Sequence, residues 1–255
     1  MRRKDGQALV DERQAAVAET GLKALIPMER PFLDYVLSAL ADAGYRWVCL
    51  VVAPEHDAIR RYYVEQSPPR RLHIDFAIQR EPRGTADAVA AAEAFAGGDP
   101  FLVINSDDYY PVEALRKLRF EPASATALFE MEAMLAGSNI SADRLRQFAV
   151  GEIDKRGLLR RIIEKPDEAT LASLARPLWV SMNCWRFGPS IFKACRRIGP
   201  SPRGELELPD AVQYAIDVLG EQFRVVQIRA PVLDLTSRSD IAPVKAALSG
   251  VEVNV

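Results

Sequence analysis

The sequence has few of the residues and motifs that mark several common functional classes. Only three cysteines (Cys49, Cys184 and Cys195) and two histidines occur among 255 residues, and no CxxC, HExxH or GxSxG pattern is present. An odd number of scattered cysteines excludes a disulfide framework, and the missing motifs argue against a zinc protease or a serine hydrolase. We expect the three cysteines to be reduced thiols that serve mainly in packing, in a cytoplasmic protein.

The chain also lacks an excess of positive charge and a long apolar run. Lysine and arginine number 33 against 35 acidic residues, a formal net charge of -2, so no global positive field attracts nucleic acid or an anionic membrane. No apolar run reaches the roughly 18–20 residues of a membrane span. The basic start at residues 1–4 is not followed by the apolar core of a secretory signal. We expect neither nucleic acid nor membrane as a partner, and homo-oligomerisation stays open.

The order of apolar runs and helical patterns along the chain indicates the fold class. Strand-like runs alternate with helix-like segments in the first half, and shorter strands with turn signals follow in the second. This order predicts an α/β fold with a mixed, mainly parallel sheet flanked by helices. No linker divides the chain, so we expect a single domain over 1–255. The predicted strands are 47–52, 72–78, 101–105, 123–130, 148–153, 158–163, 179–185 and 223–228; the helices are 11–19, 31–40, 56–66, 85–96, 189–197 and 207–219.

Polar residues follow two of these strands, where ligands bind in open α/β sheets. Asp107 and Asp108 come after 101–105, and adjacent carboxylates suit Mg²⁺, although a polar turn is the alternative. Gly84 and Thr85 open a helix after 72–78, with Thr85 able to cap it and the helix end able to receive an anion or a base. Gln79 carries a donor and an acceptor that suit a nucleobase edge. A merely capped helix is the alternative there.

Four further positions allow two interpretations each. Lys23, beside apolar residues, could contact a phosphate or extend into solvent. Glu164 and Lys165 follow an apolar strand and could form a site or a surface ion pair. Asp234 lies inside an apolar run and could be either a ligand or the cap of the helical segment from Ser239.

Taken in order, these pieces resemble the sugar nucleotidyltransferases, or nucleotide-sugar pyrophosphorylases. The resemblance implies a Rossmann-like (GT-A-like) domain that transfers a nucleotidyl group from an NTP to a sugar 1-phosphate, giving an NDP-sugar and pyrophosphate with Mg²⁺ as cofactor. The matching segments are 23–27 with 30–36, Gln79 with 84–88, 105–108, 164–166, 203–207 and Asp234.

The resemblance also implies a role for each matching residue. Asp107 and Asp234 would hold Mg²⁺, and Lys23 and Lys165 would contact the phosphates of the nucleotide and the sugar in the transfer step. Nucleotide binding is expected from Gln79, Gly84 and Thr85, and sugar binding from Glu164, Asn183 and Glu205.

The sequence departs from the family pattern at its front. The family opens with a strand and a GGxGTR loop that holds phosphates with backbone N–H groups, and Ser106 stands here where the family has glycine. We therefore expect a chain that starts about one strand late, with residues 1–20 an insert or loop remnant, reduced activity and an open groove in the sheet. Two other hypotheses stay open: a non-catalytic regulatory protein that binds a nucleotide or nucleotide-sugar, and a nucleotidyltransferase acting on a non-sugar phosphate.

Overall fold

The computed structural model describes residues 10–255, so the expectations for residues 1–9 lie outside the described part. The strands of this part are β1 (Trp47–Val52), β2 (His73–Ile78), β3 (Phe101–Val103), β4 (Asp108–Tyr109), β5 (Ala125–Glu130), β6 (Val150–Ile153), β7 (Leu159–Ile163), β8 (Trp179–Phe187), β9 (Arg224–Ile228) and β10 (Leu233–Asp234). The helices are α1 (Glu12–Thr20), α2 (Phe32–Asp42), α3 (Asp57–Arg61), α4 (Thr85–Ala91), α5 (Glu93–Ala96), α6 (Val112–Phe120), α7 (Met131–Gly137), α8 (Ala142–Leu145), α9 (Glu168–Ser173), α10 (Ser190–Cys195), α11 (Leu208–Asp217) and α12 (Ile241–Leu248). Short 3-10 turns occur at Lys23–Leu25 and Arg238–Asp240, and a π-helical turn at Tyr62–Gln66.

The strands form one large sheet and two small ones. The large sheet has the order β7-β6-β8-β5-β9, with β3 also paired to β8. β1 and β2 form a separate parallel pair, and β4 and β10 a short antiparallel pair. β5 and β9 are parallel, whereas β8 runs antiparallel to β3, β5 and β6. The α/β prediction with a mixed sheet is therefore confirmed, and antiparallel pairing surrounds β8.

Side-chain alternation along the central strands creates two apolar layers. On β5, Ala127 and Phe129 pack into a cluster with α2 and α6, whereas Leu128 faces a second cluster with α10 and α11. This is the period of two that a strand buried on both faces requires. Helices therefore cover both faces of the sheet.

Helix α2 crosses the first layer and is buried along most of its length. Its buried acidic residue, Asp34, accepts hydrogen bonds from the hydroxyls of Tyr62 (3.1 Å) and Tyr63 (2.8 Å). Burial raises the pKa of Asp34, and the two tyrosines act against that rise. The acid is thus a satisfied core group.

Several predicted boundaries differ from the structure. The predicted helix 85–96 is interrupted at Ala92, and the predicted strand 101–105 ends at Val103. Strand 47–52 was predicted to be buried on both faces but is mostly half-exposed, because one of its edges faces an open cleft. The three cysteines are unpaired, and Cys184 and Cys195 are buried. Within residues 10–255, no helix combines the length and apolarity that crossing a membrane requires.

Candidate functional site

Two predicted site residues, 84 positions apart, meet in an ion pair. Lys23, in the turn before α2, places Nζ 2.7 Å from Oδ2 of Asp107, which follows β3. The backbone N–H of Leu235 donates to the Asp107 carbonyl (2.8 Å) and fixes the loop. Both side chains keep about a quarter to a third of their exposure, 30% and 26%, so the pair adds little stability. Both groups are accessible to a ligand.

Asp108, beside Asp107, lies directly across from Asp234. The two are cross-strand partners in the β4–β10 pair, and such partners share one face of a ladder. Asp108 is buried, and its Oδ2 accepts from Nδ2 of Asn105 (3.0 Å). Its Oδ1 has no hydrogen-bond partner among the described residues. Burial raises the pKa of Asp108 well above its usual value, and the charges of Asp107 and Asp234 add to the rise.

The hydrogen bonds of Tyr110 also bear on the protonation of Asp108. The Tyr110 hydroxyl lies 2.6 Å from the Met182 carbonyl and 3.1 Å from Oδ2 of Asp108. Burial raises the pKa of Tyr110 far above its usual value, so the phenol keeps its single proton. If that proton goes to Met182, the contact to Asp108 requires a proton on the carboxyl. Without a cation, the arrangement favours a neutral Asp108.

Asp234 is held by a neighbour that sequence reasoning missed. Its Oδ1 accepts from Nη2 of Arg144 (2.9 Å) and from the Thr236 N–H (2.8 Å). Arg144 also donates through Nη1 to Asp240 (2.7 Å). The helix-cap interpretation of Asp234 is wrong, because Ser237 and Asp240 form the capping box of the following 3-10 turn. No motif marks Arg144 in the sequence.

The carboxylates fit a hard divalent cation only in part. Asp107 and Asp234 both lie near enough to Asp108 to raise its pKa, and Asp108 carries a buried oxygen without a partner. Over residues 10–255, however, no three His, Cys, Asp or Glu side chains are arranged to hold a metal. Mg²⁺ does not need three protein ligands, because it takes one or two carboxylates and completes its shell with phosphate oxygens and water.

Gln79, Gly84 and Thr85 form one connected turn. Nε2 of Gln79 donates to the Gly84 carbonyl (2.9 Å) and to Asp87 (3.0 Å), so its Oε1 is left to accept from a ligand. Gly84 has a φ of +118° and lies so close to the backbone of Leu206 that a Cβ would come within 2.4 Å of that carbonyl oxygen.

Thr85 does not cap α4, and that prediction is wrong. Gly84 occupies the cap position without a side-chain bond, and Thr85 is the first residue of the helix. Oγ1 of Thr85 instead accepts from the N–H of Leu208 (2.9 Å), at the start of α11. The threonine therefore joins two helices, a long-range contact that no local signal reveals.

The predicted sugar-side segments 164–166 and 203–207 lie near each other, and Glu207 is the buried acid of the second segment. Glu205 is exposed, whereas Glu207 is largely buried and accepts from Arg203 (2.7 and 3.0 Å) and Ser201 (2.6 Å). Burial raises the pKa of Glu164, and the charge of Glu207 is the next cause. The structure thus places Glu207 near Glu164. Residues 203–207 lie in the loop before α11, so no helical spacing in the sequence indicates the Arg203–Glu207 pair.

Asn183 occupies a bulge in β8. Its φ is +52°, and the register between β5 and β8 shifts where Ala127 pairs with Cys184 and Leu128 with Ser181. Bulges of this kind redirect a side chain next to functional sites. Oδ1 of Asn183 accepts from the indole N–H of Trp185 (3.3 Å).

A cavity of about 980 Å³ joins part of this set. Thr85, Asp107 and Asn183 line it. Lys23 is not part of the lining but forms an ion pair with Asp107, which is. Gln79, Glu164, Lys165, Glu205 and Asp234 lie outside its lining as the structure describes it. The cavity therefore brings together three of the predicted residues from distant parts of the chain.

The α/β fold gathers carboxylates, a lysine and helix starts near its strand ends, which is where ligands bind in open α/β sheets. The chain belongs to the nucleotidyl transferase family, whose model matches residues 18–230. The family predicted from the sequence is thereby confirmed.

The relatives found among curated proteins agree with that assignment. The low-salt glycan biosynthesis nucleotidyltransferase Agl11 of Haloferax volcanii is 27% identical over 80% of this chain and 56% of its own length. The UTP–glucose-1-phosphate uridylyltransferase AglF of the same organism is 26% identical over 80% of this chain and 79% of its own. A glucose-1-phosphate thymidylyltransferase of Streptomyces antibioticus is 31% identical over 80% and 54%. The chain thus spans about half the length of several relatives.

Solved structures share the fold. A UDP-glucose pyrophosphorylase complexed with UDP-glucose superimposes with a TM-score of 0.72 at 16% identity, covering 90% of this chain and 91% of its own. A second, the apo form of a UDP-glucose pyrophosphorylase, gives 0.72 at 18% identity with 93% of both chains covered. These likenesses confirm the single α/β architecture of the described residues.

Proposed function

We propose that this chain transfers a nucleotidyl group from an NTP to a sugar 1-phosphate and releases pyrophosphate. The observation that carries the proposal is the Lys23–Asp107 pair beside the Asp108–Asp234 ladder, inside the region that matches the family model. The relatives named as glucose-1-phosphate thymidylyltransferase and uridylyltransferase support the substrate class. We place the reaction in the cytoplasm.

In this proposal charge neutralisation is the main contribution of the protein, since both substrates are anions. Lys23 would contact the nucleotide phosphates and Lys165 the phosphate of the sugar. Asp107 and Asp234 would hold Mg²⁺, and Asp108 would support it with the oxygen that has no partner. Mg²⁺ would shield the phosphates and orient the attacking oxygen. No covalent intermediate is required.

The remaining predicted residues would select the substrates. Oε1 of Gln79 would accept a hydrogen bond from a base N–H, in a turn that Gly84 keeps close to Leu206 and Thr85 ties to α11. Glu164, with its raised pKa, and Asn183 would bind sugar hydroxyls. Glu205 is proposed for the surroundings of the sugar, and Glu207 for the same wall of the site.

The test is pyrophosphate release from a panel of NTPs and hexose 1-phosphates, with Mg²⁺ and with EDTA. We expect one NTP–sugar pair to give Mg²⁺-dependent release of pyrophosphate and an NDP-sugar product. If no pair turns over, while an NTP or NDP-sugar raises the Tm, the regulatory hypothesis replaces ours. Release only with a non-sugar phosphate would contradict the substrate class.

A further inference from the structure

Arg144, on α8, is the shared partner of two buried acids. Its guanidinium donates through Nη2 to Oδ1 of Asp234 (2.9 Å) and through Nη1 to Oδ1 of Asp240 (2.7 Å). The side chains of the two acids keep 9% and 5% of their exposure, whereas that of Arg144 keeps 35%. A guanidinium is planar and carries its donors in a fixed arrangement. One rigid group therefore joins the Asp234 carboxylate to a second acid.

The partners of Arg144 are themselves held in place. Oδ2 of Asp240 accepts from the backbone N–H (2.6 Å) and the hydroxyl (2.8 Å) of Ser237. The Asn139 side chain holds the backbone of Asp234, since it accepts from the Asp234 N–H (2.9 Å) and donates to the Asp234 carbonyl (2.7 Å). With the backbone of Asp234 and the far end of Arg144 both fixed, the arginine sets the rotation of the Asp234 carboxylate.

The two oxygens of the Asp234 carboxylate have different surroundings. Oδ1 accepts from Arg144 and from the Thr236 N–H (2.8 Å), which uses both of its lone pairs. Among the hydrogen bonds of residues 10–255, none ends on Oδ2. The carboxylate can therefore offer a cation one oxygen and not two.

We propose that Arg144 is a positioning residue that makes this site select Mg²⁺ over Ca²⁺, an inference that rests on the role of Asp234 in the proposed function. Mg²⁺ demands a compact, near-octahedral shell, whereas Ca²⁺ accepts a looser shell in which a carboxylate often binds through both oxygens. Because Arg144 holds Oδ1, Asp234 binds through Oδ2 alone. The arginine thus denies Ca²⁺ the second oxygen.

A purely structural tie between α8 and the segment after β10 is the alternative explanation of Arg144. Loss of such a tie would change the affinities for Mg²⁺ and Ca²⁺ by the same factor. Loss of the positive charge of Arg144 would do the same, because the two cations carry equal charge. The ratio of the two dissociation constants therefore separates selection from structural support.

The experiment measures Mn²⁺ bound to the chain without nucleotide by electron paramagnetic resonance, and displaces it with Mg²⁺ or Ca²⁺. We expect Arg144→Met to lower the ratio of the Ca²⁺ to the Mg²⁺ dissociation constant by about tenfold or more, the scale of losing a group that orients a metal ligand. Arg146→Met is the matched control, because Arg146 lies two residues further on and pairs with the exposed Asp143. We expect its ratio to equal that of the wild type.

A double variant protects the test against misfolding. Arg144→Met leaves Asp240 buried without its cation, which destabilises a fold, whereas Arg144→Met combined with Asp240→Asn removes both charges. We expect the same lowered ratio from the double variant, which decides if the single variant does not fold.

An unchanged ratio overturns the inference, as does Mn²⁺ binding that Asp234→Asn leaves intact or a wild type that binds no Mn²⁺. Pyrophosphate release is measured separately on the same preparations. A lowered ratio in a chain that releases no pyrophosphate from any NTP–sugar pair would refute the proposed function and support the role of Arg144.

Discussion

At the scale of single residues, backbone conformation marks two of the proposed sugar-side positions. Lys165 and Asn183 are the non-glycine residues of the described chain with a positive φ, at +42° and +52°. Such conformations cost of order 1 kcal/mol or more and persist where the surroundings impose them, often at functional sites. The sequence predicts both residues as part of the site. Their strain supports a role in orienting a ligand.

Replacing Gly84 is expected to lower the stability of the fold. Gly84→Ala combines an unfavourable φ with a Cβ 2.4 Å from the Leu206 carbonyl oxygen, so the backbone must move. We expect a loss of about 1–3 kcal/mol, seen as a lower midpoint in urea unfolding. Gly199→Ala is the control, with no positive φ and no atom within 4 Å, and we expect a change within about 0.5 kcal/mol. Equal effects of the two variants would contradict the close approach.

At the scale of elements, the pattern of apolar residues predicts the long apolar strands and misses the short ones. The runs at 47–52 and 179–185 carry a clear strand signal, and the structure has strands there. β4 and β10 contain two residues each, too few for any periodicity. Yet this pair places Asp108 opposite Asp234. The key contact of the site was therefore hidden from pattern analysis.

In the loop before α11, the ion pair of Glu207 is expected to make the Tm depend on pH. Hydrogen bonds from Arg203 lower the pKa of Glu207 below its ordinary value of 4.5. A group whose pKa is lowered in the folded state stabilises the protein above its unfolded pKa, and that contribution is lost as pH falls through the folded pKa. We expect wild type to exceed Glu207→Gln in Tm at pH 7, and the difference to shrink below about pH 4.5.

Glu205→Gln is the matched control for this experiment, because Glu205 lies in the same loop with an exposed side chain. Thermal unfolding followed by circular dichroism from pH 3 to 7 gives the comparison. A Tm difference between wild type and Glu207→Gln that stays constant down to pH 3 would show that the ion pair is not the cause.

At the scale of the whole molecule, the site depends on contacts between segments far apart in the chain. Lys23 reaches Asp107, and Thr85 reaches Leu208, 123 residues away. Sequence motifs indicated Lys23, Asp107 and Thr85 individually, whereas their partners come from the packing of sheet and helices. This is why Arg144 was missed, and why the cap assigned to Thr85 was wrong.

The central claim is that Asp107 serves metal-dependent nucleotidyl transfer. The most direct test compares pyrophosphate release by wild type, Asp107→Asn and the exposed control Asp57→Asn, at saturating NTP, sugar 1-phosphate and Mg²⁺. We expect Asp107→Asn to lower kcat at least a hundredfold, in the range of losing one key electrostatic group, with an unchanged Tm. Asp57→Asn is expected to keep the kcat of the wild type. Full activity of Asp107→Asn, or release that EDTA does not abolish, would contradict it.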